Sequence, residues 1–395
     1  MVSSPLPIEA ETEQFQTERI MTVVGGHFVH DTFSAFVSPL LPILIERLSL
    51  SLTLAGSLAV FTQLPSLLSV LIGYAADRVS VRYLVIFAPA VTATLVTMLG
   101  FMPTYATAAI LLFSVGISVM SFHAPAPAMV AHISGKQVGK GMSFFMAGGE
   151  LGRSLGPLLV GFGVTQWGIE GLWRLMFFGW IATAVLYMRL HDVSARSDRK
   201  QKQGDKPVLA QFSRVFAPLF GVMILRNFVV NGLSVYLVVF LVTVRGYGLP
   251  TATAMLALYE FAGVAGALGG GTLSDRIGRR RTIAGAIALT AILMFAFLNF
   301  DGWLSFPILI GLGLTALSVT PVFQALVQDQ LPGNRATASG MFILFAFLVR
   351  AINAMIVGIL GDKLGLDTAL YIIALLSLLS LPIVALLPQS IHAQE

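Results

Sequence analysis

Apolar residues run along this chain in twelve blocks, broken by short polar interruptions. The blocks lie at about 20–46, 52–76, 83–102, 105–128, 139–165, 172–190, 215–244, 251–273, 282–300, 304–328, 337–361 and 368–388. About 20 apolar residues in helical form cross the hydrocarbon core of a bilayer. Each block is therefore predicted as a transmembrane helix. Links such as Met102-Pro103-Thr104 and Asp301-Gly302-Trp303 leave room only for a helical hairpin.

One long polar stretch, from His191 to about Gln211, has no apolar face and separates six blocks from six. It reads as a linker, either a tether or a segment lying on the anionic inner leaflet. The halves also repeat one another. Gly73-Tyr74-Ala75-Ala76-Asp77-Arg78 returns 198 residues later as Gly271-Thr272-Leu273-Ser274-Asp275-Arg276, followed by Gly278, Arg279, Arg280 and Arg281. His27-Phe28 with Asp31 answers to Asn227-Phe228 with Asn231, and Gly141-Met142 to Gly340-Met341. Repetition at half the chain length predicts two homologous bundles. The fold class is thus read as an all-α membrane protein, with twelve transmembrane helices in two pseudo-symmetric six-helix bundles. The expected divisions are a cytoplasmic tail 1–19, a bundle 20–190, a cytoplasmic linker 191–214, a bundle 215–388 and a cytoplasmic tail 389–395.

Hydrophobic residues make up 56% of the 395 and charged residues 11%, where soluble domains carry roughly 25% charged residues. One soluble core cannot hide that much apolar surface. The absence of cysteine excludes disulfides and thiolate metal sites. The net charge of +5 does not point to nucleic acid, because Lys and Arg gather in loops on one side of the predicted membrane. Seventeen fall there, against Arg47, Arg174, Arg245 and Lys363 on the other side. That asymmetry predicts both termini on the cytoplasmic face of the plasma (inner) membrane. The polar start, with Glu9, Glu11, Glu13 and Glu18, is the reverse of a signal peptide's basic region. A retained tail and a monomer in the lipid bilayer are expected.

Charged groups inside the blocks carry the chemistry. The first block holds His27, His30 and Asp31, the fifth Glu150 and Arg153, and the seventh Arg226, Asn227 and Asn231. The eighth holds Glu260, and the eleventh Arg350 and Asn353. A charge at this depth costs roughly 2.5–3.5 kcal/mol on insertion scales, so such residues turn inward and are used. Guanidinium forks suit carboxylate, phosphonate or phosphate, whereas buried acids and imidazoles exchange protons. The expected substrate contacts are Arg153, Arg226, Arg350, Asn227, Asn231 and His27. The expected proton carriers are Asp31, His30, Glu150 and Glu260. Other readings stay open: Glu150–Arg153 as a self-neutralising pair, Glu260 paired with Arg226 or Arg350, and Asn353 capping Arg350. His123, between Phe122 and Ala124-Pro125-Ala126-Pro127, reads as a packing or boundary residue. His27, His30 and Asp31 offer only part of a metal shell, and with no further His expected at the midplane no metal site is predicted.

On the fifth block, Gly148, Gly152 and Gly156 form a small-residue stripe that permits close helix approach, and Pro157 adds a bend.

The chain resembles the major facilitator superfamily over essentially its whole length. Gly271, Asp275, Arg276, Gly278, Arg279 and Arg280 match the family's loop signature, Gly-x-x-x-Asp-Arg-x-Gly-Arg-Arg. The first copy departs from it at Ser80 and Val81. The resemblance implies a cytoplasmic gate at Gly73, Asp77, Arg78, Gly271, Asp275, Arg276 and Arg280, where the Asp pairs across helix ends. The run Gly152-Arg153-Ser154-Leu155-Gly156-Pro157, with Gly161, is similar to a motif of drug–proton antiporters, although Val160 and Ser143 replace glycines of the pattern. It implies a hinge and seal at Gly148, Gly152, Gly156 and Pro157. Gly26-His27-Phe28-Val29-His30-Asp31 before Pro39-Leu40-Leu41-Pro42 is similar to the fosmidomycin-resistance branch. That likeness implies efflux of small drugs, phosphonate antibiotics among them.

The expectation is a proton-coupled secondary transporter that exports a small anionic or amphiphilic compound by alternating access. The proton gradient supplies the energy and no cofactor is expected. Proton symport importing an organic anion is the alternative, and divalent-metal transport a weaker one. No ATP-binding phosphate loop, Gly-x-Ser-x-Gly or His-Glu-x-x-His occurs, so neither an ATP-driven pump nor an enzyme is expected.

Overall fold

The computed structural model describes residues 14–68, 81–194, 209–330 and 335–387. The first predicted block is two helices, α1 (Thr17–Ser34) and α2 (Val37–Leu48), parted by a turn at Ala35 and Phe36. Pro39, in the first turn of α2, has no N–H to return to the preceding turn, so the ladder breaks there. The chain then forms α3 (Leu52–Gln63), α4 (Arg82–Thr97) and α5 (Tyr105–His123). Pro125 and Pro127 end the fourth block early, and a separate α6 (Ala126–Ile133) follows. Next come α7 (Val138–Trp167) and α8 (Met176–Leu190). The second half holds α9 (Leu209–Thr243), α10 (Leu249–Ile277), α11 (Arg279–Asn299), α12 (Ser305–Gln330) and α13 (Arg335–Leu364). It closes with α14 (Leu366–Leu378) and α15 (Ser380–Val384). No strand occurs among the described residues.

Ten stretches of the described residues are long and apolar enough to cross a membrane, and Leu52–Leu67 is a shorter apolar one. Helix α7 is 30 residues long but is interrupted by Glu150, Arg153 and glycines. Together these make the twelve-span, two-bundle architecture. Helix α9 begins at Leu209, inside the stretch expected as linker, so the second bundle starts earlier than predicted.

The glycine stripe does what its spacing implied. Helix α1 lies along α7. A Cβ on Gly152 would strike the carbonyl oxygen of Phe28, and one on Gly156 that of Thr32, while one on Gly148 would come within 2.8 Å of Val24. Pro157 is buried in the same helix. In the second half, α10 and α12 approach in the same way at Gly266 and Gly313.

The halves meet through α7 with α10, α3 with α13, and α2 with α9. Among the described residues, polar links between them gather at the end of the bundle opposite the chain termini. Ser38 Oγ donates to the Ser234 carbonyl at 2.6 Å, and the Tyr236 hydroxyl lies 3.0 Å from the Leu52 carbonyl. The Asp362 carboxylate accepts from the backbone N–H groups of Leu52 and Thr53 at 2.6 and 2.9 Å. Leu41 and Ala55 of the first half share one apolar core there with Leu233, Tyr236 and Val357 of the second. At the same end, two of the exceptional arginines have structural uses. Arg47 pairs with Glu170 at 2.5 Å. Arg245, side chain 8% exposed, donates to the carbonyls of Phe297 and Phe300 at 2.6 and 2.7 Å and so caps the last turn of α11.

Of the expected gates, Gly73, Asp77 and Arg78 lie outside the described residues. In the second copy, Gly271 lies within α10, and Gly278, with φ 94°, alone separates α10 from α11. Asp275 Oδ1 is 2.5 Å from Arg279, which also donates to Ser274 Oγ. The acid thus pairs across a helix junction, though within its own hairpin. Arg276 is exposed, and Arg280 Nε is buried with no hydrogen-bond partner.

Candidate functional site

The one-face spacing of His27, His30 and Asp31 on α1 turns all three into the first bundle, each with little or no exposure. The Asp31 carboxylate, 2% exposed, is the centre. His27 Nε2 approaches Oδ2 at 3.3 Å, His123 Nε2 approaches Oδ1 at 3.1 Å, and an Arg153 nitrogen lies 3.7 Å from Oδ2. Arg153 also closes tightly on Glu150, one turn back on α7. The His27 ring is fixed from behind, because its Nδ1 donates to the Phe145 carbonyl at 2.7 Å. Phe145 stacks on that ring at 4.0 Å. Donation from Nδ1 leaves Nε2 as the nitrogen that faces the acid. Neither His27 Nε2 nor Asp31 Oδ1 has an aligned hydrogen-bond partner, so the cluster has unused proton positions. Gly149 makes the room: a Cβ there would sit on the His27 ring and 3.0 Å from Asp31 Oδ2.

Two expectations are corrected here. His123 is no boundary residue but a direct neighbour of Asp31. Its register sets it off the exposed stripe of α5. The lipid-facing stripe of α5 is Ile110, Phe113 and Ile117. His123 lies six residues beyond Ile117, about 120° around the helix from it. His30 is fully buried, stacked on Phe122 at 4.4 Å, with no partner for either ring nitrogen. The groups in contact with the Asp31 carboxylate are His27, read as a substrate contact, and His123, while His30 stands behind.

Since His123 supplies a third ligand, a metal must be considered again. One atom each from His27, Asp31 and His123 fall within 4.8 Å of one another. Two imidazoles and a carboxylate suit a divalent transition ion. The permanent charge of Arg153 at 3.7 Å from the same carboxylate opposes a dication there. The donor set fits a proton better than a metal.

In the second half, Glu260 accepts a hydrogen bond from Ser234 at 3.1 Å and forms no ion pair with Arg226 or Arg350. It lies within the electrostatic reach of Arg153, Glu150 and Arg350. These four side chains therefore lie in one neighbourhood, two from each half. Arg350 is exposed and forms no ion pair among the described residues. Arg226 is instead buried, donating to Asn227 Oδ1 at 2.7 Å and to the Ala316 carbonyl, over the Phe323 ring. Asn231 is buried with its Nδ2 unpartnered. Asn353 donates to the Ile224 carbonyl at 3.1 Å and does not cap Arg350.

The repeat gives this asymmetry a simple form. Two hundred residues on, His27 and Asp31 become Asn227 and Asn231. At these two positions the second half carries neutral amides in place of an imidazole and a carboxylate.

Comparison with known proteins agrees with this architecture. The family model of the Major Facilitator Superfamily matches residues 23–354 and 250–393. The "Fosmidomycin resistance protein" of Escherichia coli (strain K12) is 26% identical over 378 residues, 93% of this chain and 92% of that protein. The "Uncharacterized MFS-type transporter YfnC" of Bacillus subtilis (strain 168) is 25% identical over 390 residues, 95% of this chain and 94% of that one. In fold, a bacterial homolog of the human lysosomal transporter Spinster, inward-facing and unoccupied, superposes with a TM-score of 0.78 at 14% identity, over 94% of this chain and 96% of that one. A D-xylose–proton symporter gives 0.74 at 17% identity, over 95% and 99%. Two six-helix halves and a family match along most of the sequence lead to one conclusion: the chain belongs to the Major Facilitator Superfamily.

Proposed function

We propose that this family member, a multi-pass membrane transporter and not an enzyme, is a proton-coupled antiporter of the plasma (inner) membrane, exporting a small anionic or amphiphilic compound by alternating access, with both termini cytoplasmic. One observation carries this reading: a buried acid, Asp31, held by His27, His123 and Arg153, with Arg153 shared with Glu150. A proton on Asp31 removes its attraction for Arg153. The guanidinium, then held by Glu150 alone, turns its remaining donors to an anion on the side of Arg350 and Glu260. Substrate anion and Asp31 carboxylate compete for one cation, so proton binding and anion binding are coupled through Arg153; taken alone this coupling has the sign of symport, and the exchange direction is taken from the relative named below. Among the described residues the polar links between the halves lie at the end away from the termini, which supports loading from the cytoplasmic side, as an exporter requires. The name of the Escherichia coli relative supports efflux and a phosphonate such as fosmidomycin as a first substrate.

Inside-out vesicles containing the protein, given labelled fosmidomycin and an imposed pH gradient, test the proposal. Accumulation only with an acidic lumen is the expected result. Accumulation driven by the opposite gradient overturns export, and indifference to the gradient overturns proton coupling.

A further inference from the structure

Asp31 is sealed from water, and a coupling acid must still exchange protons with it. Three side chains touch its carboxylate. The side chain of His27 is 4% exposed, and its other nitrogen is committed to the Phe145 carbonyl. Arg153 is 43% exposed but holds its protons at any working pH. His123 is 32% exposed, and its imidazole has two nitrogens, one to take a proton and one to pass it on. Its exposure is not to the lipid, because it stands off the Ile110–Phe113–Ile117 stripe. We propose that His123 is the proton entry and exit for Asp31, a relay rather than the coupling site itself.

The step balances. Water delivers a proton to His123 Nδ1, and the Nε2 proton passes to Asp31 Oδ1 across the 3.1 Å contact. His123 returns to its neutral form, and Asp31 is neutralised. The reverse sequence unloads it. The charged and titratable groups around this path are His27 and His30 on α1, His123 on α5, and Glu150 and Arg153 on α7. His30 has no contact with the carboxylate and no exposure, so it offers no second route. The inference rests on the proton-coupled reading above, with Asp31 as the acid.

The test follows the carboxyl stretching band of the full-length protein in lipid nanodiscs by infrared spectroscopy after a rapid pH jump. The band lost in Asp31→Asn reports Asp31. In His123→Ala its protonation should slow by roughly 10- to 100-fold with an unchanged final amplitude, and added imidazole should restore the rate. His123→Gln, of similar size, should be slow and resist rescue. An unchanged rate in both variants overturns the relay while leaving Asp31 as the coupling acid. Slowing without imidazole rescue in His123→Ala also overturns it, by making the effect structural. If no band is lost in Asp31→Asn, the proton-coupled reading falls and the relay with it.

Discussion

Asp362, near the end of α13, caps a helix that is not its own: its Oδ2 accepts from both the N–H and the hydroxyl of Thr53, at 2.9 and 2.5 Å, in the first turn of α3. A carboxylate at a helix N-terminus meets unsatisfied N–H groups and a favourable dipole. This one joins the two halves, so it stabilises the arrangement closed at that end. Losing a cap of this kind costs about 1 kcal/mol, roughly a fivefold shift between two states. Asp362→Ala should populate the form open at this end. Since the chain has no cysteine, spin labels at Ala106→Cys and Trp303→Cys give the inter-half distance directly. An unchanged distance distribution would show that the cap does not set the state.

Gly149 tests the proton cluster without deleting a titratable group. The Cβ in Gly149→Ala would crowd the His27 ring against Asp31 and pull His27 from the Phe145 carbonyl. Overpacking of this size costs about 1–3 kcal/mol. The pH profile of proton-driven transport should move while the protein remains folded and monodisperse. A profile superimposable on that of the parent would mean the ring position is irrelevant to coupling.

Arg226 and Arg350 should separate cleanly. Arg226 is buried and donates to the Ala316 carbonyl, so Arg226→Gln leaves buried polar groups unpaired and should cost about 1–3 kcal/mol, read as a lower melting temperature. Arg350 is exposed and unpaired among the described residues. Arg350→Gln should keep the melting temperature and raise the half-saturating concentration of an anionic substrate. The reverse pattern would exchange their roles.

The loop at Asp301 gives a pH dependence of known sign. The Tyr247 hydroxyl donates to the Asp301 carboxylate at 2.7 Å and holds this carboxyl below its ordinary value of 3.8, with Arg245 at 3.0 Å assisting. A depressed carboxyl stabilises the fold above 3.8 and loses that contribution as the pH falls through its lower folded value. The melting-temperature gap between the parent and Asp301→Asn should therefore be present at neutral pH and close in acid. A gap that widens in acid would reverse the assignment. The group is largely exposed, so the gap is expected to be small.

Much of the site was legible because charge in an apolar block is conspicuous. Asp31, Glu150, Arg153, Glu260 and Arg350 stand out from their surroundings, and each costs too much in lipid to be incidental. His123 was missed because a His beside a Pro-rich turn looks like a helix end, and nothing local shows that α5 delivers it to α1. An arginine partner for Glu260 was one open reading on charge alone, whereas its hydrogen bond comes from Ser234, a residue with no signal of its own. Arg226 and Arg350 looked alike in sequence, and burial alone parts them.

The order of apolar blocks, the half-length repeat and the charged interruptions determined the fold class, since hydrophobicity and the need for internally satisfied backbone act along the chain. The tertiary structure decided which charges meet. Hydrogen bonds and ion pairs act over a few ångströms between helices distant in sequence, and only their packing decides which groups meet: Gly149, Gly152 and Gly156 of α7 let it close on α1 and bring Arg153 to Asp31, and α5 adds His123.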